Sequence, residues 1–322
     1  MKQGTRPAIS RASIYKPLTV FTKRLTNYSF LCCDTFSECV ISALGDDSGH
    51  LFLMDTDIDE RKFLNTEIGV SSSAIFDVCW LTNSLIGIAS GDSNVYLFDV
   101  FKGEFTQRRG HTKSVRCVKH AAGRVYTGGS DGKVFCWDVR SKDPVLELNF
   151  YPRGHKMVSA LELNREEEYT IYGTATPGTI LNTWDLRYTK RGMYISEQNS
   201  IANAITNSIY HKDRHIYLLL SNSGVLRLTE TGTFMNYVQP GSTYGVSHGK
   251  IDYSAHLDLV LAGFANKVVV FDAKYTHLAC THDIDPINGL NCIRRNNFLT
   301  YDEYGRVTIY EMVFKETQVQ II

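Results

Sequence analysis

The sequence contains few residues whose types and spacing suit catalysis or metal binding. His211 and His215 lie four positions apart, the spacing at which a helix presents two imidazoles to zinc. They flank a charged segment between two strand-like runs, 204–210 and 216–220, so a charged hairpin is the better interpretation. The chain lacks the glycine-rich phosphate-binding motifs and the G-x-S-x-G nucleophile motif. The sequence therefore predicts a protein that is not an enzyme and uses no metal or cofactor.

Two copies of a Trp-Asp-x-Arg sequence are the most informative local feature. One copy contains Asp138 and Arg140, and the other contains Asp185 and Arg187. The planar guanidinium of arginine makes several charge-assisted hydrogen bonds at once, and arginine is frequent among the residues that dominate binding energy at protein interfaces. The simpler interpretation is that each pair only stabilises a surface turn. Two copies in succession favour a binding surface.

Three further arginines, Arg24, Arg109 and Arg153, each precede a strand-like segment. If the chain repeats one structural unit, these arginines fall on loops at the face of the molecule away from the Trp-Asp sequences. A basic arc there would suit a substrate with acidic or phosphorylated residues, or a stretch of DNA or RNA backbone. The alternative is that they are solvated loop charges with nearby acidic partners.

Composition restricts the class of protein. The 34 Lys and Arg residues equal the 34 Asp and Glu residues, so any contact with nucleic acid must be local rather than driven by net charge. The 18 Tyr and 16 Phe favour β-structure. The 8 cysteines form no C-x-x-C pair and lie mostly in apolar runs, which indicates reduced core residues in the nucleus or cytoplasm. No apolar run is long enough to span a bilayer, so no membrane contact is predicted.

A repeated pattern supplies the elements that position these residues. A turn rich in Gly, Asp, Asn and Ser is followed by four largely apolar residues and then, in most copies, an acidic residue. The pattern recurs at intervals of roughly 40 to 45 residues, the length of one four-stranded propeller blade. The seven apolar runs are 51–54, 95–98, 134–137, 181–184, 225–228, 268–271 and 307–310.

One repeat resembles the WD-repeat family closely. Its Gly110-His111 start, Thr127, Asp131 and its Trp137-Asp138 end match the sequence signature of that family. The resemblance implies an all-β, seven-bladed WD-repeat β-propeller over residues 18–322, a single closed ring that binds other macromolecules. It also implies that His111, Thr127, Asp131 and Trp137 form a buried hydrogen-bonded set that holds one blade together.

A finer resemblance concerns the two Trp-Asp-x-Arg sequences. They are similar to the WD-x-R box of substrate receptors of cullin-RING ubiquitin ligases, including denticleless-type receptors. That similarity implies that Asp138, Arg140, Asp185 and Arg187 contact a ligase adaptor protein while another surface takes a substrate protein. The alternative is a scaffold subunit of an RNA-processing or chromatin complex. Either interpretation predicts a monomer within a larger complex, in the nucleus and possibly also in the cytoplasm.

The first 17 residues are predicted to form a flexible basic tail. They contain four basic and no acidic residues, and Pro7 and Pro17 oppose a long helix. The tail is interpreted as a nuclear address or a DNA contact, with a mitochondrial presequence as a third alternative. A propeller must also pair its two chain ends within one blade, because an open ring exposes strand edges. Residues 20–25 and 317–322 are both strand-like, so the sequence leaves open which end closes the ring.

Overall fold

The computed structural model contains β-strands and turns only. It describes residues 15–36, 41–56, 65–121, 123–148, 157–164, 166–167, 169–176, 180–187, 193–197, 206–221, 224–238, 249–272 and 279–314. Within these ranges there is no helix, and hence none that could cross a membrane.

The strands form seven antiparallel sheets, here called blades 1 to 7. Blade 1 contains β2 (Phe30–Phe36), β3 (Ile41–Asp46), β4 (His50–Asp55) and β5 (Asn65–Gly69). Blade 2 contains β6 (Ile75–Trp80), β7 (Leu85–Ser90), β8 (Asn94–Asp99) and β9 (Glu104–Arg109). Blade 3 contains β10 (Val115–Ala121), β11 (Arg124–Gly129), β12 (Val134–Asp138) and β13 (Leu146–Leu148). Blade 4 contains β14 (Met157–Leu163), β15 (Thr170–Thr176), β16 (Ile180–Asp185) and β17 (Met193–Glu197).

The remaining blades follow the same order. Blade 5 contains β18 (Thr206–Lys212), β19 (His215–Leu220), β20 (Gly224–Thr229) and β21 (Phe234–Val238). Blade 6 contains β22 (Lys250–Ser254), β23 (Leu259–Asp272) and β24 (Ala279–Ile287). Blade 7 contains β25 (Gly289–Cys292), β26 (Asn297–Tyr301), β27 (Arg306–Phe314) and β1 (Tyr15–Arg24). All seven predicted apolar runs lie in the third strands of their blades or, in blade 6, in the second half of β23, which confirms the prediction of a seven-bladed propeller.

The blades are arranged as a closed ring around a central channel. The first strand of each blade contacts the first strand of the next, from β2 through β6, β10, β14, β18, β22 and β25 and back to β2. The first strands are therefore innermost, and the fourth strands lie at the outside. Because strands within a blade alternate in direction, the third strands all end at one face of the ring, here called the Trp-Asp face. The connections between blades lie at the other face, here called the opposite face.

The N-terminal strand closes the ring. β1 pairs along its whole length with β27, with Tyr15 opposite Phe314 and Arg24 opposite Arg306, and it is the outermost strand of blade 7. The sequence left open which chain end supplies the closing strand, and the structure shows that the N-terminal end does. Residues 317–322 lie outside the described residues. β1 begins at Tyr15, inside the segment that the sequence assigns to the tail, and residues 1–14 also lie outside the described ranges.

Blade 6 contains a long strand in place of two separate ones. Leu259 to Gly263 of β23 pair with β22, whereas Ala265 to Phe271 pair with β24. Ala265 has a φ of 52°, a left-handed conformation, and it lies next to the turn predicted at Asn266-Lys267. Ala265 therefore lies where β23 passes from pairing with β22 to pairing with β24, and blade 6 is a sheet in the order β22, β23, β24.

The hydrophobic core lies between blades rather than within them. Seven clusters of buried apolar residues occupy the seven junctions between neighbouring blades. Each strand alternates its side chains between the two sheet faces, so every blade contributes to the cluster on each side. Trp184 is fully buried in the cluster between blades 3 and 4. The six cysteines with described side chains are free, and four of them are buried.

Small residues allow the blades to approach closely. An added Cβ at Gly128 would lie 2.4 Å from Cγ1 of Val158 in the next blade, and one at Gly45 would lie 2.4 Å from Cγ2 of Ile75. Neighbouring sheets can keep this spacing only where the second strand presents no side chain, so glycine at these two positions is a packing requirement.

Candidate interaction surfaces

The structure brings the four residues of the WD signature into one hydrogen-bonded set in blade 3. His111 Nδ1 lies 3.0 Å from Asp131 Oδ2, and His111 Nε2 lies 2.8 Å from Thr127 Oγ1. Trp137 donates its indole N–H to the same Thr127 oxygen at 2.8 Å. Asp131 also accepts the backbone N–H of Thr112 at 2.9 Å. The set joins the inter-blade connection, the second strand, the following turn and the third strand.

The charge of Asp131 is compensated by donors. Burial opposes its ionisation, but hydrogen bonds from His111 and from the backbone N–H of Thr112 outweigh this effect and lower the pKa of Asp131. An aspartate that is nearly inaccessible to water persists only where donors satisfy it, as they do here. The position of this set inside the blade fits a structural role.

Blades 1 and 7 stabilise the equivalent turn without the histidine. Asp46 accepts the backbone N–H groups of Ser48 and His50, and Asp302 accepts those of Tyr304 and Arg306. Asp46 ends the second strand of blade 1 and Asp302 directly follows that of blade 7, whereas Asp131 lies further into its turn. Sequence comparison against Asp131 missed them because they are displaced by two positions.

The two Asp-x-Arg pairs adopt the same conformation at the Trp-Asp face. Arg140 donates its backbone N–H and Nε to Asp138 Oδ1 at 2.9 and 3.1 Å, and its Nη2 to Oδ2 at 3.0 Å. Arg187 makes the same three bonds to Asp185 at 3.0, 3.0 and 2.8 Å. The Arg140 side chain is 86% exposed and that of Arg187 is 49% exposed. Each carboxylate therefore orients an arginine that remains accessible to a partner.

Further contacts hold these turns in place. Arg108 is buried at the junction of blades 2 and 3 and donates Nη2 to the carbonyl of Val139, the residue between Asp138 and Arg140, at 2.8 Å. The Arg187 guanidinium lies 5.3 Å from the ring centroid of Tyr169. Sequence reasoning missed Arg108 because it lies in the preceding blade, 31 positions from its acceptor.

The structure describes two of the three arginines of the predicted basic arc. Arg24 is the last residue of β1 and Arg109 the last residue of β9, so both lie at the opposite face near the outside of the ring. Arg24 donates Nε to the carbonyl of Thr26, and Arg109 donates Nη2 to Gln107 Oε1 at 3.4 Å. Both arginines are exposed, whereas Arg153 lies outside the described residues.

The central channel contains a group of charged side chains that the sequence did not predict. Lys250 extends from blade 6 to donate to the carbonyl of Cys33 in blade 1, and Lys119 of blade 3 lies 3.7 Å from Glu162 of blade 4. Burial alone would lower the pKa of Lys250, but the carboxylates of Asp34 and Asp77 raise it above its ordinary value. The lysine therefore remains charged inside the ring.

The channel carboxylates connect neighbouring blades. Asp34 Oδ2 accepts the backbone N–H of Trp80 at 2.8 Å, and Asp77 Oδ2 accepts that of Val118 at 3.0 Å. Each bond runs from the first strand of one blade to the first strand of the next. Burial raises the pKa of Asp77, against the effect of Lys119 and Lys250. These residues join segments that lie far apart in the sequence, so no local sequence pattern predicts them.

The described residues contain no group of three or more His, Cys, Asp or Glu side chains arranged to hold a metal ion. His211 and His215 lie in β18 and β19 on either side of a turn at Asp213 and Arg214, which have φ values of 48° and 60°. His211 is fully buried, with Nε2 2.7 Å from Glu230 Oε1. The arrangement is a charged hairpin that packs against blade 4, where the ring of His211 stacks on that of Tyr172.

Comparison with known proteins agrees with this architecture. Residues 103–138 match the family described as WD domain, G-beta repeat, a segment that contains all four residues of the blade 3 set. THO complex subunit 6 homolog of Danio rerio is 32% identical over 115 residues, 33% of this chain and 34% of that protein. Human pre-mRNA-processing factor 17 is 26% identical over 255 residues, 72% of this chain and 42% of that protein.

Protein Rae1 of Drosophila melanogaster is 29% identical over 112 residues, 33% of this chain and 31% of that protein. The chain thus spans about a third of the length of the THO subunit relative and less than half of the other two. Propellers of this kind are generally non-catalytic platforms for protein interactions. With seven blades in a closed ring and one repeat, residues 103–138, that matches the WD domain, G-beta repeat family, the chain folds as a seven-bladed β-propeller with a WD repeat in blade 3.

Proposed function

We propose that this propeller is a scaffold subunit of an RNA-processing complex in the nucleus. The observation that carries the proposal is the similarity to pre-mRNA-processing factor 17, which extends over 72% of the chain and therefore over most of the ring. The similarity to a subunit of the THO complex supports membership of a multiprotein assembly. Similarity of fold alone is a weak guide to function, so the proposal depends on the extent of these matches.

The ring suits this role because its loops are held by a rigid framework. Seven inter-blade cores and the blade 3 hydrogen bonds fix the positions of the turns at both faces. The Trp-Asp face offers Arg140 and Arg187 to a protein partner, and the opposite face offers Arg24 and Arg109 to an acidic segment or an RNA backbone. In this proposal the basic residues among the first 17 provide a nuclear address or an additional nucleic-acid contact.

A second candidate function is that of a substrate receptor for a cullin-RING ubiquitin ligase. The observation that favours it is the identical geometry of Asp138 with Arg140 and of Asp185 with Arg187 on consecutive blades. In this case Asp138, Arg140, Asp185 and Arg187 contact the ligase adaptor, and the basic residues of the opposite face contact a substrate protein.

Affinity purification of the tagged full chain from nuclear extract separates the two functions. Recovery of pre-mRNA-processing subunits in stoichiometric amounts supports the scaffold, and recovery of a ligase adaptor with its cullin supports the receptor. RNase treatment is the necessary control, because partners joined only through RNA are then lost. Absence of RNA-processing subunits from the RNase-treated eluate contradicts the proposed function.

A further inference from the structure

The central channel opens at the opposite face between the beginnings of the first strands. Each first strand is parallel to the third strand of its blade, which ends at the Trp-Asp face, so the first strands begin at the opposite face. Four half-buried residues near these beginnings line one cavity and are here called the channel mouth: Leu31, Phe76, Arg116 and Ser159 of blades 1, 2, 3 and 4.

Within the mouth, Arg116 is stacked on Phe76 across the junction of blades 2 and 3. Its guanidinium carbon Cζ lies 3.8 Å from the centroid of the Phe76 ring, a distance at which cation–π attraction acts. An added Cβ at Gly91 would lie 3.3 Å from Cε2 of Phe76, so the turn after β7 confines the ring. An aromatic surface therefore positions the guanidinium, and its N–H groups are not used for this purpose.

The N–H groups of Arg116 are available to an acceptor from outside the chain. Among the described residues, this guanidinium makes no hydrogen bond and no ion pair. Burial lowers the pKa of Arg116, and no described carboxylate counters this effect. Burial also acts on Lys119 and Lys250, but nearby carboxylates outweigh it and raise their pKa values. Arg116 thus differs from the two channel lysines in having no acidic partner.

The carboxylates of the channel lie deeper and are engaged by other groups. Asp77 accepts backbone N–H groups with both oxygens, at 3.1 and 3.0 Å. Asp34 and Asp252 each accept a backbone N–H of the next blade, and Glu162 lies 3.7 Å from Lys119. None of these carboxylates pairs with Arg116, but their charge disfavours a ligand with more than one negative charge.

The described rim of the mouth carries no negative charge. Three connections that lead into first strands contain no acidic residue: 25–29, 70–74 and 110–114. Lys113 is exposed in the last of them. The acidic residues in the described turns of this face lie between second and third strands, farther from the channel: Asp47, Asp92, Asp131 and Glu303. An incoming anion therefore meets Arg116 before any described carboxylate.

We infer that the channel mouth binds the carboxylate of an aspartate or glutamate side chain from a segment of a partner protein. The planar guanidinium of Arg116 donates to both carboxylate oxygens, and Leu31 and Phe76 contact the methylene groups beside them. A phosphate dianion fits less well, because its second charge is repelled by the channel carboxylates. The inference goes beyond the proposed function, since it holds for any assembly in which the ring is a platform for protein binding.

Zero-length cross-linking in the purified assembly tests the inference directly. Arg116→Lys introduces an amine at the mouth, and a carbodiimide joins an amine only to a carboxylate in contact with it. Arg124→Lys is the matched control, because Arg124 is exposed at the Trp-Asp end of the same blade. We expect one aspartate or glutamate of a partner to be joined to position 116, and no residue of that segment to position 124. Coupling of position 116 only to carboxylates of the ring itself overturns the inference.

A charge-removing variant measures the effect on affinity. Equal melting temperatures establish that Arg116→Gln and the control Arg124→Gln fold. We expect Arg116→Gln to retain the direct partner at least about tenfold less well than the wild type, and Arg124→Gln to retain it fully. Wild-type retention by Arg116→Gln overturns the mouth as the binding site and leaves the proposed function standing. Loss of the partner only when RNA is present places nucleic acid at the mouth and overturns the inference.

Small anions test the mouth of the wild-type chain without any partner. The nitrogen-15 signal of the Arg116 Nε–H group, identified by its absence from Arg116→Gln, is followed during titration with propionate, which ends like a glutamate side chain. We expect it to shift at lower propionate concentration than the signal of Arg124. Equal responses, or saturation by inorganic phosphate at a lower concentration than by propionate, overturn the inference. A wild-type chain that recovers no RNA-processing subunit contradicts the proposed function, whereas this titration still decides the inference.

Discussion

At the scale of the residue, the indole of Trp137 contributes both to the hydrophobic core and to the hydrogen-bonded set of blade 3. It is 1% exposed, packs against the cluster between blades 2 and 3, and donates to Thr127. Trp137→Ala is expected to lower the free energy of unfolding by about 3–5 kcal/mol, because it leaves a large cavity. Trp137→Phe keeps most of the apolar volume and should cost only about 0.5–1.5 kcal/mol for the lost hydrogen bond. Denaturant titration measures both, and a Trp137→Ala variant as stable as the wild type would exclude the structural role.

Asp131 is expected to make stability dependent on acid pH. Its pKa in the folded protein is lower than the ordinary 3.8, so ionised Asp131 stabilises the fold fully above that value. The stabilisation is lost as the pH falls through the lowered pKa. Asp131→Asn should therefore be less stable than the wild type by about 1.5–3 kcal/mol at neutral pH, the range for a hydrogen bond to a charged group. The difference should narrow below about pH 4. A difference that stays constant down to pH 2 would show that the charge of Asp131 does not contribute.

Arg140 and Arg187 are expected to affect binding without affecting folding. Both are exposed, and each pairs with an aspartate only two positions away, so Arg140→Ala with Arg187→Ala should change stability by less than about 1 kcal/mol. Loss of one interfacial hot-spot arginine costs about 2 kcal/mol or more of binding energy. Isothermal titration with the purified direct partner measures the effect. A double variant with wild-type affinity would remove both arginines from the binding surface.

At the scale of the element, β1 is the strand that closes the ring. Without it the edge of β27 is unpaired, and blade 7 has three strands. A chain that lacks residues 1–14 keeps every described pair and should melt at the wild-type temperature. A chain that lacks residues 1–24 should melt at a lower temperature and aggregate, since a long unpaired strand edge is a template for association. Calorimetry and light scattering compare the two truncations, and identical melting curves would show that β1 is dispensable.

The sequence predicted elements whose signal is local and missed contacts between distant residues. The third strands were predictable because an apolar run follows a turn, and the Asp-x-Arg pairs because two residues on one turn make the contact. The family signature predicted the residues of the blade 3 set. By contrast, the bond from Arg108 to Val139 and the position of Lys250 depend on which blades become neighbours, and hydrophobic periodicity carries no such information. The sequence also could not predict which chain end supplies the closing strand, because the pairing of β1 with β27 joins residues that are far apart in the sequence.

At the scale of the whole molecule, the charges in the channel are expected to hold the ring together. Lys250→Met removes one of the two lysines that act on Asp77, and removal of one partner from a buried ionic group typically costs about 3–5 kcal/mol. The pKa of Asp77, which burial already raises, then rises further above its unfolded value, so the variant loses stability as the pH increases. The deficit of the variant should therefore widen as the pH rises above 3.8, the ordinary pKa of aspartate, through the raised pKa of Asp77.

Lys102→Met is the control for this experiment, because Lys102 pairs with Asp99 at the surface and is 70% exposed. We expect a loss of less than about 1 kcal/mol that does not depend on pH in this range. Urea titrations at four pH values measure both variants. A constant deficit for Lys250→Met would show that the lysine acts through packing rather than through its charge.

The pairing of β1 with β27 also determines the order of events during synthesis. β1 leaves the ribosome before the other strands of the ring and β27 leaves after them, since Tyr15 lies opposite Phe314. At about 5–20 residues per second, β1 waits roughly 15–60 s before β27 has been translated. During that interval Leu18 and Val20 have no partner strand. Lys16, Pro17 and Lys23 stand at either end of this apolar stretch, and lysine and proline are the residues that discourage wrong pairing of an edge strand. These residues thus protect β1 from wrong pairing until β27 is available and the ring can close.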